Sequence, residues 1–249
     1  MTAIERTEAQ LLLRRIVRDA RLRHLLAAAI GAGFLALFAA VHASWSPMHR
    51  WNRAFGDVSL MLVALSVGIG PLSRFVRPVV RVLPLRRELG IHGCLYAIVH
   101  TAIILVGWVE WDLMRLFGFE WHPQIREYVM FQHGFALANA VGLAALGLVI
   151  LLAATSSDLA VGLLGASGWK FIQMGVLPLW WLTVAHVGYF LFIHFMSFHR
   201  ATPEPNPLQM WFVALVLLVL SLRSAAYVQT VRLRSQAHMA NAGSKNAPV

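Results

Sequence analysis

Five histidines fall within apolar stretches of this 249-residue chain: His92, His100, His133, His186 and His194. Neutral imidazole is the cheapest ionisable side chain to bury, and its ring nitrogens bind metals. Two of the five share the stretch "RRELGIHGCLYAIVH" (86–100), whose apolar part contains no acid to pair with them. His186 closes another such stretch, "GWKFIQMGVLPLWWLTVAH" (168–186). Two imidazoles from separate helices can hold a flat macrocycle between them as axial ligands of haem iron. A hydrogen-bonded structural role is the alternative for any one histidine, and a matched pair on two helices favours ligation.

The elements that carry these residues are set by composition. The chain is 59% hydrophobic and 13% charged, with a mean hydropathy of +0.66. Soluble domains run nearer half apolar and a quarter charged, so the pattern is that of an integral membrane protein. Six apolar stretches approach the roughly 20 residues that a spanning helix needs. They lie at 25–43, 57–73, 89–109, 129–154, 171–196 and 209–227. The predicted fold class is therefore an all-α integral membrane protein, a six-transmembrane-helix bundle. Residues 1–24 form a basic amphipathic tail, with a helix expected over 8–24, and residues 228–249 a second tail.

The net charge of +10 reads as membrane topology and contact with anionic lipid, not as nucleic-acid binding. Sixteen Lys and Arg fall on the side of both termini, and five on the other side. The positive-inside rule then places both termini in the cytoplasm, with a multi-pass location in a bacterial inner membrane. A lone cysteine, Cys94, excludes an internal disulfide, a Cys-ligated iron–sulfur cluster and a CxxCH haem attachment. By these boundaries the acids lie in joints and at segment edges, Asp57 at the start of the second segment. The lack of a mid-membrane carboxylate weighs against an ion-coupled transporter. No internal repeat stands out.

His100 and His186 fall at similar depths, because the third and fifth segments run in the same direction. Gly93, Ala97 and Gly107 share the face of His100 and are expected to leave room for a bulky planar ligand. The alternative for that stripe is close helix packing. His92 precedes His100 by eight residues, about 80° round the helix, so the two do not share a ligand face. Pro178 is expected to kink the fifth segment.

The stretch "RRELGIHGCLYAIVH", with Gly90 ten residues before His100, and the "GWK…H" element with Trp169 and His186 resemble the ferric reductase-like transmembrane family. The similarity covers about residues 55–200 and is nearest to the haem-binding membrane subunits of bacterial methionine sulfoxide reductase systems. It implies haem b with His100 and His186 as axial ligands. It also implies electron transfer across the membrane from quinol or a flavoprotein to a periplasmic or membrane-bound partner oxidoreductase. Gln173 stands where the family has an earlier fifth-helix histidine; an amide is a poor haem ligand, which argues against a second haem. His92 could substitute there, contact a propionate or be structural. Arg86 and Arg87 could pair with haem propionates or the phosphate of FMN, or simply set topology. His133, His194 and His199 lie towards the outer side and could serve an outer site, a role that the resemblance does not imply. The rival reading, made live by Gln173, is a structural or assembly subunit that keeps the fold without redox activity.

Overall fold

The computed structural model describes residues 19–131, 133–194 and 206–245, with side chains described as far as 236. Asp19 opens the first helix, its carboxylate accepting from the Arg21 backbone N–H at 2.8 Å. Such a side chain satisfies one of the amide donors that a helix start leaves unpaired. The helix α1 runs over Ala20–Val41. Of the helix expected over 8–24, residues 20–24 are helical and Asp19 is the extended residue that caps them; residues 8–18 lie outside the described residues.

Pro47 sits in the first turn of α2 (Pro47–Leu72), where its missing N–H costs nothing. The helix therefore starts ten residues earlier than hydropathy predicted, absorbing Arg50 and Arg53. It also runs through "VGIGPL", with Pro71 in its last turn. Asp57 is consequently ten residues inside the helix, not at its edge, which corrects the expectation of no acid deep in a span. A 3-10 turn at Arg77–Val82 leads to α3 (Leu85–Gly107).

The joint after α3 contains a short helix, α4 (Leu113–Leu116), and a two-stranded antiparallel hairpin. Its strands are β1 (Phe119–His122) and β2 (Glu127–Met130), in register from Phe119 opposite Met130 to His122 opposite Glu127. Trp111, Trp121 and Tyr128 project from this joint and are exposed, as aromatic side chains at a membrane–water boundary would be. Then come α5 (His133–Ala154), α6 (Asp158–Gln173) and α7 (Val176–Gly188). A π-helical turn, Tyr189–Ile193, continues α7, and α8 spans Gln209–Lys245.

The stretch "TSSDLAVGLLGASGWK" between the fourth and fifth apolar segments is largely helical. It folds back at Gly165, whose φ of +69° lies in the region that favours glycine. The bend expected from Pro178 falls at Gly175. Pro178 cannot donate to the Met174 carbonyl four residues back, so a new helix starts instead with the proline in its first turn.

Six helical runs are long and apolar enough to cross a membrane, and by length and composition this is a multi-pass membrane protein. The helix α2 is central. Ala54, Val58 and Leu62 pack with α1 and α3, while Leu60, Val63 and Val67 pack with α5, α7 and α8. Two serine hydroxyls bind α2 to α3, Ser59 donating to the Gly93 carbonyl at 2.9 Å and Ser66 to the Arg86 carbonyl at 2.8 Å. On the other side of α3, Glu88 is 1% exposed and accepts from Arg23 Nε of α1 at 2.8 Å.

That buried ion pair yields a stability test. Arg23→Ala strands the Glu88 carboxylate and should cost about 3–5 kcal/mol, read as thermal unfolding in detergent. Adding Glu88→Gln to Arg23→Ala should recover most of the loss. A double variant no more stable than the single one would refute the ion-pair account.

Candidate functional site

His100 of α3 and His186 of α7 face each other across the bundle. Their ring centroids are 6.4 Å apart and their planes are nearly perpendicular, at 85°. Each ring is held in the same way. His100 Nδ1 donates to the Asn52 carbonyl of α2 at 2.8 Å, and His186 Nδ1 donates to the Ala138 carbonyl of α5 at 2.8 Å. A carbonyl can only accept, so both rings carry their proton on Nδ1, and both Nε2 atoms have a bare lone pair. Fixing one ring nitrogen through a backbone carbonyl is how proteins orient a metal-binding histidine.

Close approach of an imidazole to a helical carbonyl needs space one turn further on, because side chains lean towards the N-terminal end of their helix. Both helices provide a glycine there. A Cβ on Gly56, four residues after Asn52, would lie 3.1 Å from Nδ1 of His100. A Cβ on Gly142, four residues after Ala138, would lie 2.6 Å from Nδ1 of His186. Sequence reasoning missed both glycines and both carbonyls; two glycines on helices opposite the histidines were the available signal.

The small-residue stripe beside His100 has a different use from the one expected. A Cβ on Gly93 would meet Val63 at 3.3 Å, and one on Gly107 would meet Met48 at 2.6 Å. Both glycines serve close packing of α3 on α2, and only Ala97 of that stripe borders open space. The open space is a cavity of about 210 Å3 between α2, α3, α5 and α7.

The cavity is built twice. Twenty-four of its lining residues form twelve pairs whose members are separated by the same 86 positions, one in α2–α3 and its tail, the other in α5–α7 and its tail. Four pairs are identical: Gly56 with Gly142, Leu60 with Leu146, Val63 with Val149, and His100 with His186. The carbonyls of Asn52 and Ala138 obey the same offset. This repeat was not apparent in the sequence, because only spacing and a few identities are shared. The pairing breaks where the chemistry differs. His49, Arg53 and Asp57 on α2 stand opposite Phe135, Asn139 and Leu143 on α5.

The remaining sequence candidates lie elsewhere. Arg87 donates through Nε to the Ser156 carbonyl at 2.6 Å and pairs with Asp158 at 3.1 Å. Its partner by the 86-residue offset is Gln173, which donates to Thr155 Oγ1 at 3.1 Å. Both side chains thus fasten the end of α5, and neither Arg86, Arg87 nor Gln173 lines the cavity. Arg86 packs beside Gly70, with its guanidinium 3.0 Å from where a Cβ would sit. Trp169 Nε1 donates to the Thr155 carbonyl at 3.0 Å. His92 turns towards α1, its Nε2 3.5 Å from His24 Nδ1, so His92 and Gln173 face different neighbours. His133 is exposed at the start of α5. His194 is buried against Phe135 and Phe190 and lines the cavity, and His199 lies outside the described residues.

The residues present fit a metal macrocycle held by two imidazoles. Two metal–nitrogen bonds of about 2 Å, plus roughly 1 Å from each nitrogen to its ring centre, add up to about 6 Å, close to the separation found. Both ligating lone pairs are free, both rings are oriented, and the walls between them are largely apolar. Among the described residues there is no cluster of three or more His, Cys, Asp or Glu able to bind a bare ion.

The glycines can be tested directly. Gly142→Ala should push His186 off the Ala138 carbonyl and lower stability by about 1–3 kcal/mol in thermal unfolding. Gly147→Ala on the same helix has nothing within 4 Å of the new Cβ and should be neutral. Equal stability of the two variants would refute the close-approach account. No protein-family model and no curated protein matches this chain.

Proposed function

We propose that this chain is a membrane-embedded b-type haem protein that carries electrons across the bilayer, with His100 and His186 as the axial ligands. The single observation that supports this most is the matched pair of carbonyl-anchored imidazoles, 6.4 Å apart on one apolar cavity. When bound, the haem would supply a one-electron couple. The chain's own residues set its ligands, its burial and its distance from solvent.

The reading agrees with the resemblance of "RRELGIHGCLYAIVH" to the ferric reductase-like family and to the haem-binding membrane subunits of methionine sulfoxide reductase systems. It differs from a two-haem arrangement. Arg87 and Gln173 occupy corresponding positions at the far end of the bundle, and both are engaged by the end of α5. One haem is therefore proposed. The donor is a quinol or a separate flavoprotein, FMN being the flavin that the basic edge would suit. The acceptor is a periplasmic or membrane-bound oxidoreductase.

In the proposed orientation both termini are cytoplasmic, in a bacterial inner membrane, and the β1–β2 hairpin faces the opposite side. The histidine seat lies in the half of the bundle nearer the hairpin, so electrons would leave by that side.

A reduced-minus-oxidised absorption spectrum tests the reading. Protein expressed with ample haem should give a b-type difference signal, lost in His100→Ala and in His186→Ala and retained in His92→Ala. A colourless wild-type protein would overturn the proposal in favour of a structural or assembly subunit.

A further inference from the structure

The two halves of the cavity agree in shape but not in charge, and the difference is concentrated at one place. Asp57 is the only acidic residue among the described residues that line the cavity, and its counterpart one repeat later is Leu143. An apolar side chain thus suffices at this position as far as the architecture is concerned. Asp57 follows Gly56, the glycine that touches His100, and sits in the middle of a membrane-spanning helix. Ionisable groups at such depth are expensive and tend to be functional.

Asp57 is hydrogen-bonded to His42, at the end of α1, and the charge of Arg53 acts on it from one turn away on α2. His42 Nε2 lies 2.7 Å from Asp57 Oδ2, and His42 is 1% exposed. With Nε2–H donating to the carboxylate, the lone pair of Nδ1 is left over, and among the described residues it has no partner. A buried acceptor without a donor is costly. A proton can be added there without breaking the 2.7 Å contact.

We propose that the His42–Asp57 pair is a proton-binding site coupled to the redox centre, so that an electron arriving between His100 and His186 draws one proton onto His42 Nδ1. This rests on the haem reading above. The electron comes from the reduced quinol or flavin donor, which is oxidised. The proton comes from water at the hairpin end and forms the new N–H bond, and the imidazolium stays paired with the Asp57 carboxylate. Net charge in the cavity is then unchanged by reduction, which matters because an uncompensated charge is far more costly in a medium of low dielectric constant than in water.

The other titratable or charged groups facing the pair are His49 and Arg53 from α2, His100 from α3, and His186 and His194 from α7 and its tail. Arg53 keeps its charge throughout and its guanidinium lies over Trp45, 3.6 Å from the ring centre. His100 and His186 have their Nδ1 protons committed to carbonyls. His49 Nδ1 is 3.0 Å from Ser46 Oγ. Only His42 combines burial, a carboxylate partner and a bare Nδ1.

The test is the midpoint potential of the purified haem protein, followed by spectroelectrochemistry across the neutral pH range. Wild type should show a reduced-to-oxidised ratio that changes by up to tenfold per pH unit, about 59 mV for one electron and one proton. Asp57→Leu, which copies the other half of the cavity, should flatten that dependence while keeping the haem spectrum. Asp57→Asn should do the same if the leucine variant does not fold. A wild-type potential independent of pH, or a slope that survives both substitutions, overturns this proposal and leaves the haem reading intact. A protein without a haem spectrum overturns both.

Discussion

A backbone carbonyl inside an α-helix has two lone pairs and uses one for the amide four residues on. The second is normally shielded by the side chain of that same residue. The cavity depends on removing that shield twice, at Gly56 and Gly142, so that an imidazole can reach the carbonyls of Asn52 and Ala138. Much follows from this one contact. It fixes the tautomer of each ring, turns both free nitrogens towards the same space, and requires α2 and α5 to lie against α3 and α7 at that level. The serine contacts between α2 and α3, and the glycines Gly93 and Gly107, keep the first of these helix pairs close.

The pairing of His100 with His186 was easier to read in the sequence than the walls around it. His100 and His186 could be picked out because an imidazole in an apolar run is expensive, and because segment direction gives depth. Their neighbours were harder, since a glycine means space only relative to whatever faces it. Gly93 and Gly107 flank His100 on its own helix but face Met48 and Val63, whereas Gly56 and Gly142 lie far away in sequence and face the rings. Hydropathy located the six spans, but a polar helix start is invisible to it. The run 47–56 contains His49, Arg50, Asn52 and Arg53, yet it is helical because Pro47 favours a first turn and Ala54 packs inward. The same error put Asp57 at an edge. Residues 158–173 lie mostly outside the apolar segment expected at 171–196, yet they are helical on both sides of a kink at Gly165.

The end of the bundle away from the hairpin shows what replaces a second seat. Arg87 and Gln173 hold equivalent places in the two halves, and both reach the turn that follows α5. His92, the remaining imidazole at that end, is turned outward to His24, beside the buried Arg23–Glu88 pair. Arginine and carboxylate side chains at this end hold α1, α3 and the turn after α5 together. One end of the bundle is thus tied together by side chains, while the other holds the cavity between the two imidazoles.

The doubled cavity also constrains the order in which the molecule can be completed. One ring and its carbonyl lie within residues 52–100, the other within residues 138–186. As the chain leaves the ribosome, the first half can pack into the bilayer with His100 already anchored, but nothing yet stands across from it. The opposite wall arrives only with α5 and α7, later in the chain. Any molecule seated between the rings must be captured after that point, so α7, and not the final helix α8, completes the two-ring seat.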